Sequence, residues 1–159
     1  MPLGDRRPVT GPPVPRWTHV ALPSGDLDAS VAWYAQFTPL ALLDRREDAA
    51  GQSAWLGHEG QIDNPFILVL VMFWKDRGMP APILTPFAHL GIEVPTRAEV
   101  DATADRARAA GCLITEPTDL PYPVGYICAI ADPDGNVIEI SHNQGVYAKV
   151  QQVWGAGHS

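Results

Sequence analysis

Cysteine is scarce, basic residues are outnumbered and long apolar runs are missing; each shortage removes a class of protein from consideration. Only Cys112 and Cys128 occur among 159 residues. Both sit in apolar segments, which excludes a disulfide framework or a thiolate metal site and predicts reduced, buried thiols. A reducing cytoplasm is the compartment that suits them. Lysine and arginine number 11 against 18 aspartates and glutamates, a formal net charge of -7. Without a basic stripe, nucleic acid and anionic membrane surfaces are excluded as partners, and a small molecule is expected instead. No segment approaches the ~20 consecutive apolar residues of a membrane span. Met1 to Arg16 holds five prolines and three arginines but no apolar stretch, so it fits neither a secretory leader nor a span and is expected to be a flexible arm.

What is present is apolar content of 46%, enough to bury one core and too little chain for two independent domains. The chain also repeats itself. Thr18-His19-Val20-Ala21-Leu22 and Ala88-His89-Leu90-Gly91-Ile92 share the order small, His, aliphatic, small, aliphatic, 70 residues apart, and an amphipathic segment follows each. In the second copy Thr96 and Glu99 form a capping box, Val100, Ala104 and Ala107 recur at helical spacing, and Gly111 supplies the stop. In the first, Asp26 is the N-cap, Leu27, Val31 and Tyr34 repeat at i, i+4 and i+7, and Pro39 ends the helix.

Short strand-like segments follow each helix: Leu40 to Arg46, Gln52 to Gly57 and Phe66 to Trp74, then Cys112 to Thr115, Tyr126 to Ala131 and Asn136 to His142. Each copy therefore reads βαβββ. Asp132-Pro133-Asp134-Gly135 is a tight-turn signal joining the last two strands as a hairpin. The expected fold is α+β, two βαβββ modules forming a cupped mixed sheet in a single domain over residues 17–142. Module one covers 17–74, a proline-rich linker 75–86 and module two 87–142. The tail, 143–159, reads equally as a short docked helix or a frayed end.

Alternation along the last strand puts Val137, Glu139 and Ser141 on one face and Ile138 and Ile140 on the other, where aliphatics meet the helices. A carboxylate flanked by isoleucines needs a cation, strong donors or water. His19 and His89 occupy equivalent repeat positions, and both imidazoles are expected to face the same cup as Glu139. Two neutral imidazoles and one carboxylate make a divalent metal site with open positions, the pattern of a catalytic ion. His58 and His158 lack such support and His142 has the opposite strand parity to Glu139, so none of the three is expected to be a ligand. Trp55, Phe73 and Trp74 read first as core residues and alternatively as an apolar wall suited to an uncharged or aromatic substrate.

These motifs, with Asp26-Leu27-Asp28-Ala29-Ser30, Trp33-Tyr34 and the hairpin Asp132 to Ile140, resemble the vicinal-oxygen-chelate superfamily, which holds glyoxalase I, methylmalonyl-CoA epimerase, extradiol dioxygenases, and fosfomycin- and bleomycin-resistance proteins. The resemblance spans residues 18 to 140. It implies paired βαβββ modules, a divalent ion, a substrate chelated through neighbouring oxygens, and a homodimer. Glyoxalase I takes a further ligand from the last strand of module one, where this chain has Val69. The extradiol dioxygenases carry a tyrosine where this chain has Ala129, and a histidine upstream that is missing between His89 and His142. Tyr122 and Tyr126 are the candidate catalytic hydroxyls near the site. The expected function is a metal-dependent enzyme, dioxygenase-like with a 2-His-1-carboxylate site, using Fe(II), Mn(II), Zn(II) or Ni(II). The alternatives are a glyoxalase-type lyase or isomerase and a non-catalytic drug-binding protein.

Overall fold

A computed structural model describes residues 19–83 and 88–154. The expected arm at 1–16, part of the linker at 84–87 and the end of the tail at 155–159 lie outside the described residues.

Module one comprises β1 (His19–Pro23), α1 (Leu27–Phe37), β2 (Ala41–Glu47), β3 (Gly51–Gly57) and β4 (Ile67–Phe73). Module two comprises β5 (Leu90–Glu93), α2 (Arg97–Ala110), β6 (Leu113–Leu120), β7 (Gly125–Ala131) and β8 (Val137–His142), and α3 (Gly145–Trp154) follows. Each module is a four-stranded sheet, ordered β1-β4-β3-β2 and β5-β8-β7-β6. In both, the first strand runs parallel to the last and the other pairings are antiparallel. The registers coincide as well: Ala21 faces Val69 and Leu22 faces Leu70, while Gly91 faces Glu139 and Ile92 faces Ile140. The 70-residue displacement seen between the histidines therefore holds for both strands of each parallel pair.

Local chemistry sets the helix ends. The Asp26 carboxylate accepts from the Ala29 N–H at 3.0 Å, and Thr96 and Glu99 complete a reciprocal capping box, satisfying backbone donors that a first turn leaves over. Gly111 closes α2 at φ 73°, a left-handed conformation that costs a side-chain-bearing residue about 1 kcal/mol or more. The helices then bury one stripe each. Leu27, Tyr34 and Phe37 of α1 and Val100, Ala104 and Ala107 of α2 join Leu56, Leu70, Ile130, Ile138 and Ile140 in one continuous core.

The two modules meet through the β7–β8 turn, which plugs into the start of α1. Gly25 N–H donates to Asp134 Oδ1 at 2.9 Å, Ser30 Oγ–H to Asp134 Oδ2 at 3.3 Å, and the buried Tyr34 hydroxyl to Asp132 Oδ2 at 2.8 Å. Asp132 is held in turn by the Asn136 amide and by the backbone N–H groups of Asp134 and Asn136. The turn motif read from the sequence thus forms the hairpin and also joins the halves.

Two elements depart from the sequence reading, and the tail takes one of the two forms left open for it. β6 continues to Leu120 instead of stopping at Thr115; register shifts between Leu113 and Thr118 accommodate Pro117, and an edge strand tolerates the missing N–H. β5 begins at Leu90, leaving His89 immediately ahead of it. The tail forms the ten-residue helix α3. No helix among the described residues is long and apolar enough to cross a membrane.

Candidate metal centre

β8 alternates as expected, with Ile138 and Ile140 in the core and Glu139 on the opposite face. Glu139 is only 13% exposed at its side chain, and its Oε2 lies 3.7 Å from His89 Nε2. That separation is longer than a direct hydrogen bond. It is close to the roughly 3.0–3.6 Å between two donor atoms that each sit ~2.1 Å from one ion at ordinary angles. The donor set of imidazole and carboxylate and its spacing therefore fit a divalent cation. The other carboxylate oxygen, Oε1, accepts from the Gln144 side-chain amide at 2.9 Å.

His19 stands elsewhere. It opens β1, an edge strand of the other sheet, and is exposed. Among the described residues no three His, Cys, Asp or Glu side chains are grouped so as to share an ion. His89 and Glu139 come together on one sheet, while His19 belongs to the other.

Strand parity sorts the remaining candidates. Tyr126 shares its face of β7 with Cys128 and Ile130, which pack against the helices, whereas Ala129, paired with Glu139, faces the other way. Its hydroxyl donates to Asp101 on α2 and the Arg97 guanidinium stacks 3.6 Å from its ring centre. Tyr126 thus contacts α2 on the side of the sheet away from Glu139. The Asp101 carboxylate raises its phenol above the usual tyrosine range, since the bond favours the neutral form. Tyr122 lies in the β6–β7 loop, 70% exposed, with its ring against Gly145 at the start of α3; it is a rim residue one step from Gln144. Trp74 takes the core place expected of it: its indole N–H donates to the Asp48 carbonyl at 3.0 Å and its ring packs against the core. Trp55 and Phe73 do occupy the face opposite the helices, alternating with buried Ala54 and Met72. His142 points into the helix layer, its Nδ1 3.3 Å from the Val94 carbonyl oxygen.

The fourth-ligand position is settled by register. Ala21 pairs with Val69 where Gly91 pairs with Glu139, so Val69 is the counterpart of the carboxylate and offers no donor. Gln144 is the site residue that sequence reasoning missed. Its only sequence signal was its place just after the strand bearing Glu139, and nothing in a polar Asn-Gln-Gly stretch shows that the side chain folds back.

The comparisons with known proteins agree with the fold. An uncharacterized protein of Pseudomonas aeruginosa is 40% identical over 130 residues, covering 82% of this chain and 90% of that one. A probable lactoylglutathione lyase of Vibrio cholerae is 29% identical over 143 residues, covering 86% of this chain and 96% of the other. Among solved structures, glyoxalase I from Zea mays superposes with a TM-score of 0.66 at 25% identity, over 79% of this chain and 43% of the maize protein, so the chain spans under half of that enzyme. A glyoxylase/bleomycin resistance protein/dioxygenase domain from Frankia sp. superposes at 0.64 with 24% identity, covering 80% and 96% of the two chains. With the family profile matching residues 16–140, the chain belongs to the Glyoxalase/Bleomycin resistance protein/Dioxygenase superfamily.

Proposed function

We propose that this protein is a metal-dependent enzyme of lyase or isomerase type, acting on a small molecule held through two neighbouring oxygens. The observation that carries the reading is the His89–Glu139 pair, 3.7 Å apart on the face away from the helices. His89 and Glu139 would hold the ion from one protomer. His19, on the exposed edge of the other sheet, would complete the set from a second copy, because a 2-His-1-carboxylate centre needs a third protein donor and a two-fold dimer supplies the same patch reciprocally. The ion, of the Fe(II), Mn(II), Zn(II) or Ni(II) kind, would supply charge stabilisation at the substrate oxygens.

The protein's own contributions follow from its faces. Trp55, Val69 and Phe73 line module one away from the helices and offer an uncharged substrate an apolar wall from which water is excluded. Arg46 rises at the rim on the same side, its guanidinium 5.4 Å from the Trp55 ring centre and bonded to Asp44. Similarity to the lactoylglutathione lyase supports proton-transfer chemistry over oxygen insertion. The second reading, dioxygenation, draws its support from Val69: a site short of a fourth protein ligand keeps a position open for a second small molecule.

Anaerobic purification followed by elemental analysis tests the centre. The wild type is expected to carry stoichiometric metal, and Glu139→Ala to lose most of it while keeping its circular dichroism, since a carboxylate on the face away from the helices contributes little to the core. Equal metal in both proteins would remove Glu139 from the site. Turnover of hydroxycarbonyl compounds without O2 supports the lyase reading, and turnover of catechols only with O2 supports the second.

A further inference from the structure

We propose that Gln144 is a positioning residue for the Glu139 carboxylate and ties helix α3 to the metal centre; this rests on the reading of Glu139 as a ligand. The carboxylate's two oxygens have different surroundings. Oε1 accepts from Gln144 Nε2 at 2.9 Å, while Oε2 faces His89 Nε2. An amide that fixes one oxygen leaves the other aimed, so Glu139 presents a single donor atom in a set direction. The carboxylate can only accept, so the amide nitrogen must be the atom facing it.

Gln144 is itself held. Asn143 adopts φ 59°, turning the chain at the end of β8 so that the side chain at 144 returns to a residue five positions earlier. The Gln144 N–H donates to Glu93 Oε1 at 2.9 Å and the Gly145 N–H to the Pro123 carbonyl at 2.7 Å. A Cβ at position 145 would run into the Tyr122 ring, which glycine lets pack closely against the start of α3. Anchors on β5 and on the β6–β7 loop thus fix the backbone from which the amide reaches. With Glu139 only 13% exposed at its side chain, water has little room to replace that amide.

Cobalt(II) titration of the wild type, Gln144→Leu, Gln144→Ala and Glu139→Ala, followed by visible absorption and chelator competition, tests the assignment. Both Gln144 variants are expected to bind Co(II) about 10- to 100-fold more weakly. Their absorption bands should also shift, because a carboxylate released from its amide changes how it binds the ion. A residue that merely stabilised α3 would lower the melting temperature and leave the spectrum as it was. Wild-type affinity and spectrum in Gln144→Leu or Gln144→Ala, alongside loss of binding in Glu139→Ala, would overturn the role of Gln144. Wild-type binding in Glu139→Ala would instead overturn the ligand reading beneath it.

Discussion

Cys128 shows how one side chain reports its surroundings. Fully buried beneath α2, with its Sγ 3.8 Å from the Val100 carbonyl oxygen, its thiol is pushed up from 9.0 to about 11, first by burial and then by the charges of Asp101, Glu116 and Glu139. The folded state thus keeps the proton that an unfolded chain gives up near pH 9. The stability this contributes is complete below pH 9 and declines as pH rises from 9 toward 11, with Tyr34, also raised by burial and by Asp132, adding to the decline. Alkylation of the native protein at pH 8 is expected to modify the half-buried Cys112 and spare Cys128, with both reacting in denaturant; equal native labelling would contradict the packing. The burial of Cys128 was legible from its apolar neighbours, whereas Cys112, expected to be buried too, is only half-buried. The face of Tyr126 was not legible in the same way, because it is fixed by the pairing of Ala129 with Glu139 across two strands.

At the level of elements, the β7–β8 turn does two jobs. Its Asp-Pro-Asp-Gly sequence reverses the chain, with Gly135 at φ 95°, and its two carboxylates receive donors from α1. Tyr34→Phe removes one donor to the buried Asp132 while the Asn136 amide and two backbone N–H groups remain. The expected loss is about 1–3 kcal/mol in denaturant unfolding, with each sheet intact. A neutral result would mean that the Tyr34–Asp132 bond adds nothing to the joining of the modules. Helix boundaries were readable because caps are local: Asp26, Thr96 with Glu99, and Gly111 each act on residues three or four positions away. The full length of β6 was hidden because Pro117 argues against a strand unless the strand is known to lie at a sheet edge.

For the whole molecule, the decisive arrangement is which module meets which. If the centre combines His89 and Glu139 of one protomer with His19 of its partner, then His19→Ala and Glu139→Ala proteins should each bind little metal. Their mixture after subunit exchange should recover about a quarter of the wild-type sites, because half of the dimers are mixed and each mixed dimer keeps one intact set. No recovery would place the third donor elsewhere. The sequence by itself determined the repeat, the strand and helix identities, the side of β8 that carries Glu139 and the missing donor at Val69, since all of these follow from local spacing and alternation. Only the tertiary structure decided that His89 and Glu139 come within 3.7 Å while His19 lies on a separate sheet, and that Gln144 turns back to the carboxylate. Those relations depend on contacts such as Tyr34 with Asp132, 98 positions apart, which no short-range pattern encodes.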